Sequence, residues 1–137
     1  MSRKRAREVA LQALFQLDMT DGRQGAAAED QALAAAWETG KKPSELDEGY
    51  ARALVAGTRE HLAEIDADLS AVSKEWKVSR MAVIDRNILR LAVYEMRFVP
   101  EMTPAIAINE AVELAKRFSS DESPRFVNGV LGSVVRK

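Results

Sequence analysis

The residues best suited to recognition chemistry are four cationic side chains close to the start of the chain: Arg3, Lys4, Arg5 and Arg7. Cations at this spacing can follow a phosphate backbone, and a guanidinium can also stack on a base or grip phosphate with two parallel donors. The whole chain has a net charge of −1, so this basic character is local. The pattern indicates an RNA-binding segment, with a solvated helix start as an equally weighted alternative.

Two apolar residues of the same segment, Leu11 and Phe15, need a separate explanation. On a helical wheel they fall beside the cations and outside the stripe that is predicted to face the core. An aromatic ring next to cations stacks unpaired bases in single-strand binders. A neighbouring helix or a partner protein would cover the same residues, and wheel geometry alone favours that interpretation.

Residue types that catalyse reactions are scarce. The chain has no cysteine and one histidine, which excludes disulfides, thiolate nucleophiles and Cys-ligated zinc. His61 has no nucleophile in its local motif and is predicted to be a solvated helix residue. Glu110 and Glu113 lack the Glu-x-x-His partners of di-iron bundles, and Glu113 is expected to pair with Lys116 or Arg117. We therefore expect no catalysis, no cofactor and no metal.

The composition is typical of a folded globular protein. Its 137 residues, 47% hydrophobic and 30% charged, fit one domain over residues 1–137. No apolar run of about 18 residues predicts a membrane span, and the N-terminal stretch does not resemble a signal peptide. The sequence therefore predicts a cytoplasmic protein that does not contact membranes.

Apolar residues recur at helical spacing and no alternating strand pattern appears, so we predict an all-α fold of six or seven helices. Predicted caps are Ser44, Ser79, Thr103 and Ser123. The segment after Ser44 is expected to form one long helix or two. The predicted helices cover about 3–18, 26–39, 46–72, 79–98, 104–118 and 124 onward. Ile106 is assigned to an inner face, and the two glycines of the last helix, Gly129 and Gly132, are expected to permit close helix contact.

The predicted central helix has three polar exceptions: Asp85, Arg86 and Arg90. Internal ion pairs are the slightly favoured interpretation, and a surface that receives a basic partner protein is the alternative. Before the last helix, Asp121 and Glu122 lie where a helix dipole favours negative charge. That role requires no ligand.

Four ordered stretches resemble the NusB family of bacterial transcription antitermination factors. They are Arg-Lys-Arg-Ala-Arg-Glu followed by Gln-Ala-Leu-Phe in residues 3–15, and the segments 82–96, 107–118 and 125–131. The resemblance covers most of the chain, with residues 19–45 matching poorly. It implies an all-α fold of about seven helices in two packed sub-bundles, without catalysis.

The resemblance also implies partners. Members of the family bind the boxA element of nascent ribosomal RNA, most tightly as a heterodimer with NusE, a small-subunit ribosomal protein. That complex joins other Nus factors on RNA polymerase and suppresses premature termination. Some members form homodimers that hide the RNA surface, and the sequence leaves this open for the present chain.

Matching positions carry the family's functional residues over to this chain. The implied RNA-binding residues are Arg3, Lys4, Arg5, Arg7, Gln12 and Phe15. The implied surface for NusE and RNA comprises Asp85, Glu122, Arg125 and Phe126. Phe15 stands where some members have Tyr, and Asp85 where others have Glu, so a hydroxyl and a methylene are lost while the ring and the charge are kept.

Two other functions compete with antitermination. A stand-alone protein-interaction bundle would not need the basic cluster. An RNA-binding domain of the kind appended to ribosomal RNA cytosine methyltransferases would be followed by a cofactor-binding α/β segment and a catalytic cysteine. The short chain has neither feature, so we expect the antitermination factor.

Overall fold

The computed structural model describes residues 3–20, 25–38, 44–73 and 77–136. Within these ranges all regular structure is helical, which confirms the all-α prediction with about seven helices. A 3-10 turn, Val78–Arg80, precedes the fifth helix. The α-helices are α1 (Lys4–Met19), α2 (Ala26–Trp37), α3 (Glu45–Glu60), α4 (Leu62–Val72), α5 (Val83–Phe98), α6 (Pro104–Phe118) and α7 (Ser123–Arg136). No helix in the described part of the chain is long and apolar enough to cross a membrane.

The first compact unit, residues 1–60, contains α1, α2 and α3. Each of the three helices contacts the other two. The apolar stripe of α1 is buried as predicted, and Leu11 is also only 1% exposed. Burial within this chain explains Leu11, so it needs no RNA or partner to cover it. Its side chain helps to fix α1 in the unit and so positions the basic residues at the start of that helix.

The second unit, residues 61–137, contains α4 to α7. Helix α5 packs against α4, α6 and α7, and its residues Ile88, Leu89 and Val93 have no exposed surface. This arrangement confirms the prediction that the helix with several apolar faces lies at the centre of a bundle. That residues 1–137 act as a single domain stays a prediction.

Local signals account for three of the helix boundaries, at Ser44, His61 and Thr103. The backbone N–H of Asp47 donates to Ser44 Oγ at 3.1 Å, and that of Ile106 donates to Thr103 Oγ1 at 3.2 Å, which confirms both predicted caps. The segment after Ser44 forms two helices, since His61 leaves helical geometry at φ −103° and ψ 21°. The predicted stop of α2 at Gly40 lies outside the described residues.

Two predicted caps are wrong. Ser79 lies inside the 3-10 turn, and α5 begins only at Val83. The cause is Met81, which is extended at ψ 150° and buries its side chain to 6% exposure. Ser123 is the first residue of α7, and its hydroxyl donates to Asp85 Oδ2 at 3.1 Å.

Three further expectations are corrected by the described residues. Ile106 is 50% exposed rather than inward-facing, whereas its neighbour Ala107 is 1% exposed and faces the core. A Cβ at Gly129 would meet nothing within 4 Å, and the nearest atoms to one at Gly132 would be those of the Arg136 side chain on the same helix, so neither glycine is required for a close contact between helices. His61 is half-buried, and its ring stacks on Phe98 at a centroid distance of 4.0 Å, which excludes the predicted solvated helix position.

Candidate nucleic-acid interface

The start of α1 directs two guanidinium groups toward α3. The Cζ atom of Arg3 lies 4.1 Å from the ring centroid of Tyr50, and that of Arg7 lies 5.9 Å from the same centroid. Residues four apart lie on one side of a helix, which is why Arg3 and Arg7 share this ring. Tyr50 therefore gathers two of the predicted RNA-binding cations on one side of α1.

Arg5 points to the other neighbouring helix. Its Cζ atom lies 5.6 Å from the ring centroid of Trp37 in α2, and its Nη1 lies 3.7 Å from Oε1 of Glu8. Glu8 is only 4% exposed, so this nearly buried carboxylate has a cation close to it. The interaction fixes Arg5 between a ring and a carboxylate.

The four cations differ in how much of their surface remains accessible. Arg3 and Lys4 are exposed and Arg5 is half-buried, whereas Arg7 is only 7% exposed. An enclosed guanidinium beside Tyr50 braces the helix start and has little surface left for a ligand. The structure thus brings the four predicted residues together but separates three accessible cations from one enclosed cation.

Gln12 and Phe15 lie farther along α1, and both are half-buried. Phe15 consequently differs from Leu11, although the helical wheel groups them together. Part of the Phe15 ring remains accessible for stacking. The sequence expectation of a contact residue at this position stays a prediction.

A groove of about 500 Å³ adjoins the Arg3–Tyr50 contact. Its wall includes Leu46, which is 71% exposed. Sequence analysis missed Tyr50 and Trp37 as supports for the cations, because both occur at apolar helical positions that predict core packing. The full lining of the groove is Arg3, Glu45, Leu46, Asp47, Gly49, Tyr50 and Ala53.

In the second unit, Asp85 lies in the first turn of α5, where the helix dipole favours its charge. Its Oδ1 accepts a hydrogen bond from Ser119 Oγ at 2.6 Å, and its Oδ2 accepts one from Ser123 Oγ at 3.1 Å. Ser123 Oγ also lies 2.8 Å from Ser119 Oγ and 2.9 Å from Ser120 Oγ. One carboxylate therefore ties the start of α5 to the loop between α6 and α7.

The predicted internal ion pair on α5 is found at Arg90. Its Nε and Nη2 donate to the two carboxylate oxygens of Asp66 in α4, both at 2.9 Å. Arg86 Nη1 donates to the Ser79 carbonyl at 3.3 Å. The prediction is confirmed for Arg90, whereas the hydrogen bonds described for Asp85 come from hydroxyls. On α6, the predicted pair of Glu113 and Lys116 forms at 3.1 Å.

Three of the four predicted partner-binding residues line one pocket of about 190 Å³: Asp85, Glu122 and Phe126. Arg80, Met81, Ala82, Ser120 and Ser123 complete its lining. The fourth residue, Arg125, lines a separate groove of about 620 Å³ formed by residues of α6 and α7. Sequence analysis missed Arg80, because the 3-10 turn that holds it was predicted to belong to the following helix.

The described residues contain no group of three or more histidine or acidic side chains that could hold a metal ion. The side chains that line these two regions suit recognition. The first provides cations and aromatic rings, which suit phosphates and bases. The second provides a small pocket with both signs of charge and apolar walls, which suits a side chain of a partner protein.

Comparison with known proteins decides the family. The NusB family model matches residues 4–136. The chain belongs to the NusB family. It is similar to the transcription antitermination protein NusB of Desulforamulus reducens, with 47% identity over 136 residues, 98% of this chain and 90% of the relative. For the NusB protein of Symbiobacterium thermophilum, identity is 48% over 139 residues, 99% of this chain and 90% of the relative.

Solved NusB structures share the fold. A T. maritima NusB structure has a TM-score of 0.88 at 31% identity, covering 100% of this chain and 92% of that one. A crystal structure of antitermination factors NusB and NusE in complex with dsRNA has a TM-score of 0.83 at 28% identity, covering 98% of this chain and 96% of that one. The family resemblance seen in the four sequence stretches is confirmed.

Proposed function

We propose that this NusB-family chain is a transcription antitermination factor that binds boxA RNA of nascent ribosomal RNA transcripts together with NusE. The bound complex would join other Nus factors on RNA polymerase. The observation that carries the proposal is the basic start of α1, where two helices supply rings that hold Arg3, Arg5 and Arg7. The named relatives and the solved NusB–NusE–RNA complex support the same function.

The mechanism is binding and assembly, without a catalytic step. Cations position an RNA chain through its phosphates, and contacts to unpaired bases supply sequence preference. Arg3 and Lys4 are the accessible cations and would contact the backbone first, with Arg5 beside them. Gln12 and Phe15 would contact bases, and Arg7 would act mainly by bracing the helix start against Tyr50.

NusE would bind in the second unit at the pocket that contains Asp85, Glu122 and Phe126. The Asp85 carboxylate accepts two serine hydroxyls, so we assign it to shaping the pocket. Glu122 is exposed and Phe126 is half-buried, and these side chains would contact the partner directly. Arg125, in its separate groove, would extend the surface to a different part of NusE or RNA.

Three further properties belong to the same proposal. Residues 1–137 act as one RNA-binding domain, although they divide into two compact units. The protein works in the cytoplasm, where its RNA and RNA polymerase are located. A homodimer that covers the basic start of α1 would keep the protein inactive until RNA or NusE competes for that surface.

The test is binding of labelled boxA RNA and a scrambled control, with and without NusE, at two salt concentrations. The informative variant is Arg3→Glu/Lys4→Glu, because these side chains are exposed and charge reversal there should leave the fold intact. Arg7 is unsuitable because its guanidinium is enclosed. A matched control, Lys116→Glu/Arg136→Glu, makes the same change in net charge at exposed positions of α6 and α7.

We expect the wild type and the control to prefer boxA, and the Arg3→Glu/Lys4→Glu protein to lose about 100-fold in affinity while its helicity is unchanged. Equal binding of both RNAs by the wild type would contradict boxA recognition. Full binding by the reversed protein would contradict the assignment to α1. If the wild type bound neither RNA but still bound NusE, the protein would be a protein-interaction bundle.

A further inference from the structure

Among the described residues, the contact between Arg3 and Tyr50 is closer than the other guanidinium–ring contacts. It measures 4.1 Å, compared with 5.6 Å for Arg5 and Trp37 and 5.4 Å for Arg117 and Phe118. Residues 117 and 118 are neighbours in sequence, so chain connectivity brings them together. Arg3 and Tyr50 come from different helices, so tertiary packing creates their contact.

A guanidinium is planar and has two faces. The Cζ atom of Arg3 lies over the Tyr50 ring, 4.1 Å from its centroid, and Arg3 is exposed. Bases of single-stranded RNA stack on arginine planes as well as on aromatic rings. A guanidinium already held over a ring is restricted in its motion, which lowers the entropy cost of stacking a base on its outer face.

The adjoining groove suits a base better than a phosphate. Glu45 and Asp47 contribute to its lining, and their carboxylates would repel a phosphate group. The same carboxylates can accept hydrogen bonds from the exocyclic amino group of a base. Leu46, which is 71% exposed, adds apolar surface beside them.

We infer that Arg3 and Tyr50 form a stacking platform on which one unpaired, amino-bearing base of the bound RNA lies, with the guanidinium between the tyrosine ring and the base. This inference rests on the proposed RNA-binding function. It gives Arg3 a role in reading a base, in addition to a positive charge near the backbone. It makes Tyr50 a positioning residue that acts through Arg3.

The deciding variant is Arg3→Lys, which keeps the charge but removes the plane. Its affinity for boxA RNA should fall about tenfold, the size expected for loss of one stacked base. Its salt dependence should stay close to that of the wild type, because the number of cations is unchanged. Arg117→Lys, beside Phe118, is the matched control and should bind as the wild type does.

Tyr50 is tested by a pair of substitutions. Tyr50→Leu should lose about as much affinity as Arg3→Lys, and Tyr50→Phe should restore most of the loss because it keeps the ring. Circular dichroism and urea unfolding identify any general loss of folding. A merely structural role of Tyr50 would not make its effect disappear in an Arg3→Lys background, whereas the platform requires that the two losses do not add.

A series of RNAs, each with a single abasic nucleotide, locates the base. One position should weaken wild-type binding about tenfold and have little further effect on Arg3→Lys. Wild-type affinity in Arg3→Lys, or additive losses at every abasic position, would overturn the platform and leave Arg3 as a phosphate contact. If the wild type bound no RNA, the proposed function and the platform would both be overturned.

Discussion

The start of α1 and the surroundings of Asp85 hold their charges in opposite ways. At the start of α1, Arg3 lies against an aromatic ring, and a ring contact does not consume its N–H donors. In the second unit, hydroxyls of Ser119 and Ser123 occupy acceptor sites on the Asp85 carboxylate. The first arrangement leaves a charged group accessible, and the second uses a charge to fix a loop.

This difference shows that a charged residue assigned by family resemblance can act in two ways. It can contact a ligand directly, or it can order the residues that do. Arg3 can bind a ligand directly, because the interaction that holds it leaves its polar edge available. In the proposed function Asp85 acts largely through its neighbours, because its hydrogen bonds to Ser119 and Ser123 tie down the loop that carries Glu122 and leads to Phe126. The two residues differ in exposure, since Arg3 is exposed and Asp85 is half-buried, and they differ in the groups that hold their charges.

The largest predicted effect concerns Leu11, the buried residue that anchors α1 in the first unit. Leu11→Ala should reduce the free energy of unfolding by about 2–5 kcal/mol, because it creates a cavity at a side chain that is 1% exposed. Urea unfolding measures the change. Gln12→Ala, one residue farther along α1 and half-buried, should cost far less. If the two variants were equally stable, Leu11 would not be a core residue.

Asp85→Ala should have the next largest effect. It removes the charged acceptor of two hydroxyls, so we expect the free energy of unfolding to fall by about 2 kcal/mol. Asp85→Asn keeps one acceptor oxygen and should lose about half as much. The same variants should weaken NusE binding in proportion to their loss of loop order, measured by hydrogen exchange at residues 119–123. Weaker NusE binding with unchanged exchange would show instead that the carboxylate contacts NusE directly.

The third prediction concerns the serine cluster beside Asp85, which consists of Ser119, Ser120 and Ser123. Ser123 is 2% exposed and its hydroxyl contacts Asp85, Ser119 and Ser120. Ser123→Ala should therefore cost about 1 kcal/mol of unfolding free energy. Ser120→Ala, at an exposed position, should cost less than about 0.5 kcal/mol. The opposite ranking in thermal or urea unfolding would show that Ser123 is not the hub of the cluster.

Sequence periodicity predicted the helices well, because the apolar positions of α1 and α5 repeat with the helical period and are buried in the structure. Thr103 was also predictable, since its cap is a local interaction between residues three apart. Ser79 was mispredicted because a buried, extended Met81 overrides the local signal. The conformation of Met81 depends on tertiary packing, which a local sequence pattern does not show.

The candidate site was predictable to a smaller degree. Clustering in sequence indicated Arg3 as a cation near other cations, but its ring partner is 47 residues away at Tyr50. A helical wheel placed Leu11 with Phe15, yet the structure buries the first and leaves part of the second accessible. Interactions between helices decide both outcomes, and the spacing of residues along one helix does not show them.

The smallest predicted effect concerns Lys4, which is exposed at the first position of α1. Lys4→Ala should leave the free energy of unfolding nearly unchanged, because a surface substitution of this kind typically changes it by no more than about 0.5 kcal/mol. If Lys4 contacts one phosphate, boxA affinity should fall only a few fold. The slope of log K against log salt concentration should become shallower by about 0.7, the value for one phosphate contact on a single strand.

The salt slope is what distinguishes Lys4 from its neighbour Arg3. Lys4→Ala should change the salt slope to a similar extent for every RNA sequence. Arg3→Lys should remove the contribution of one base to RNA affinity while leaving the salt slope unchanged. Titrations of boxA and scrambled RNA at several salt concentrations measure both quantities. An unchanged slope in Lys4→Ala would show that this cation does not contact phosphate, and the accessible basic region would then reduce to Arg3 and Arg5.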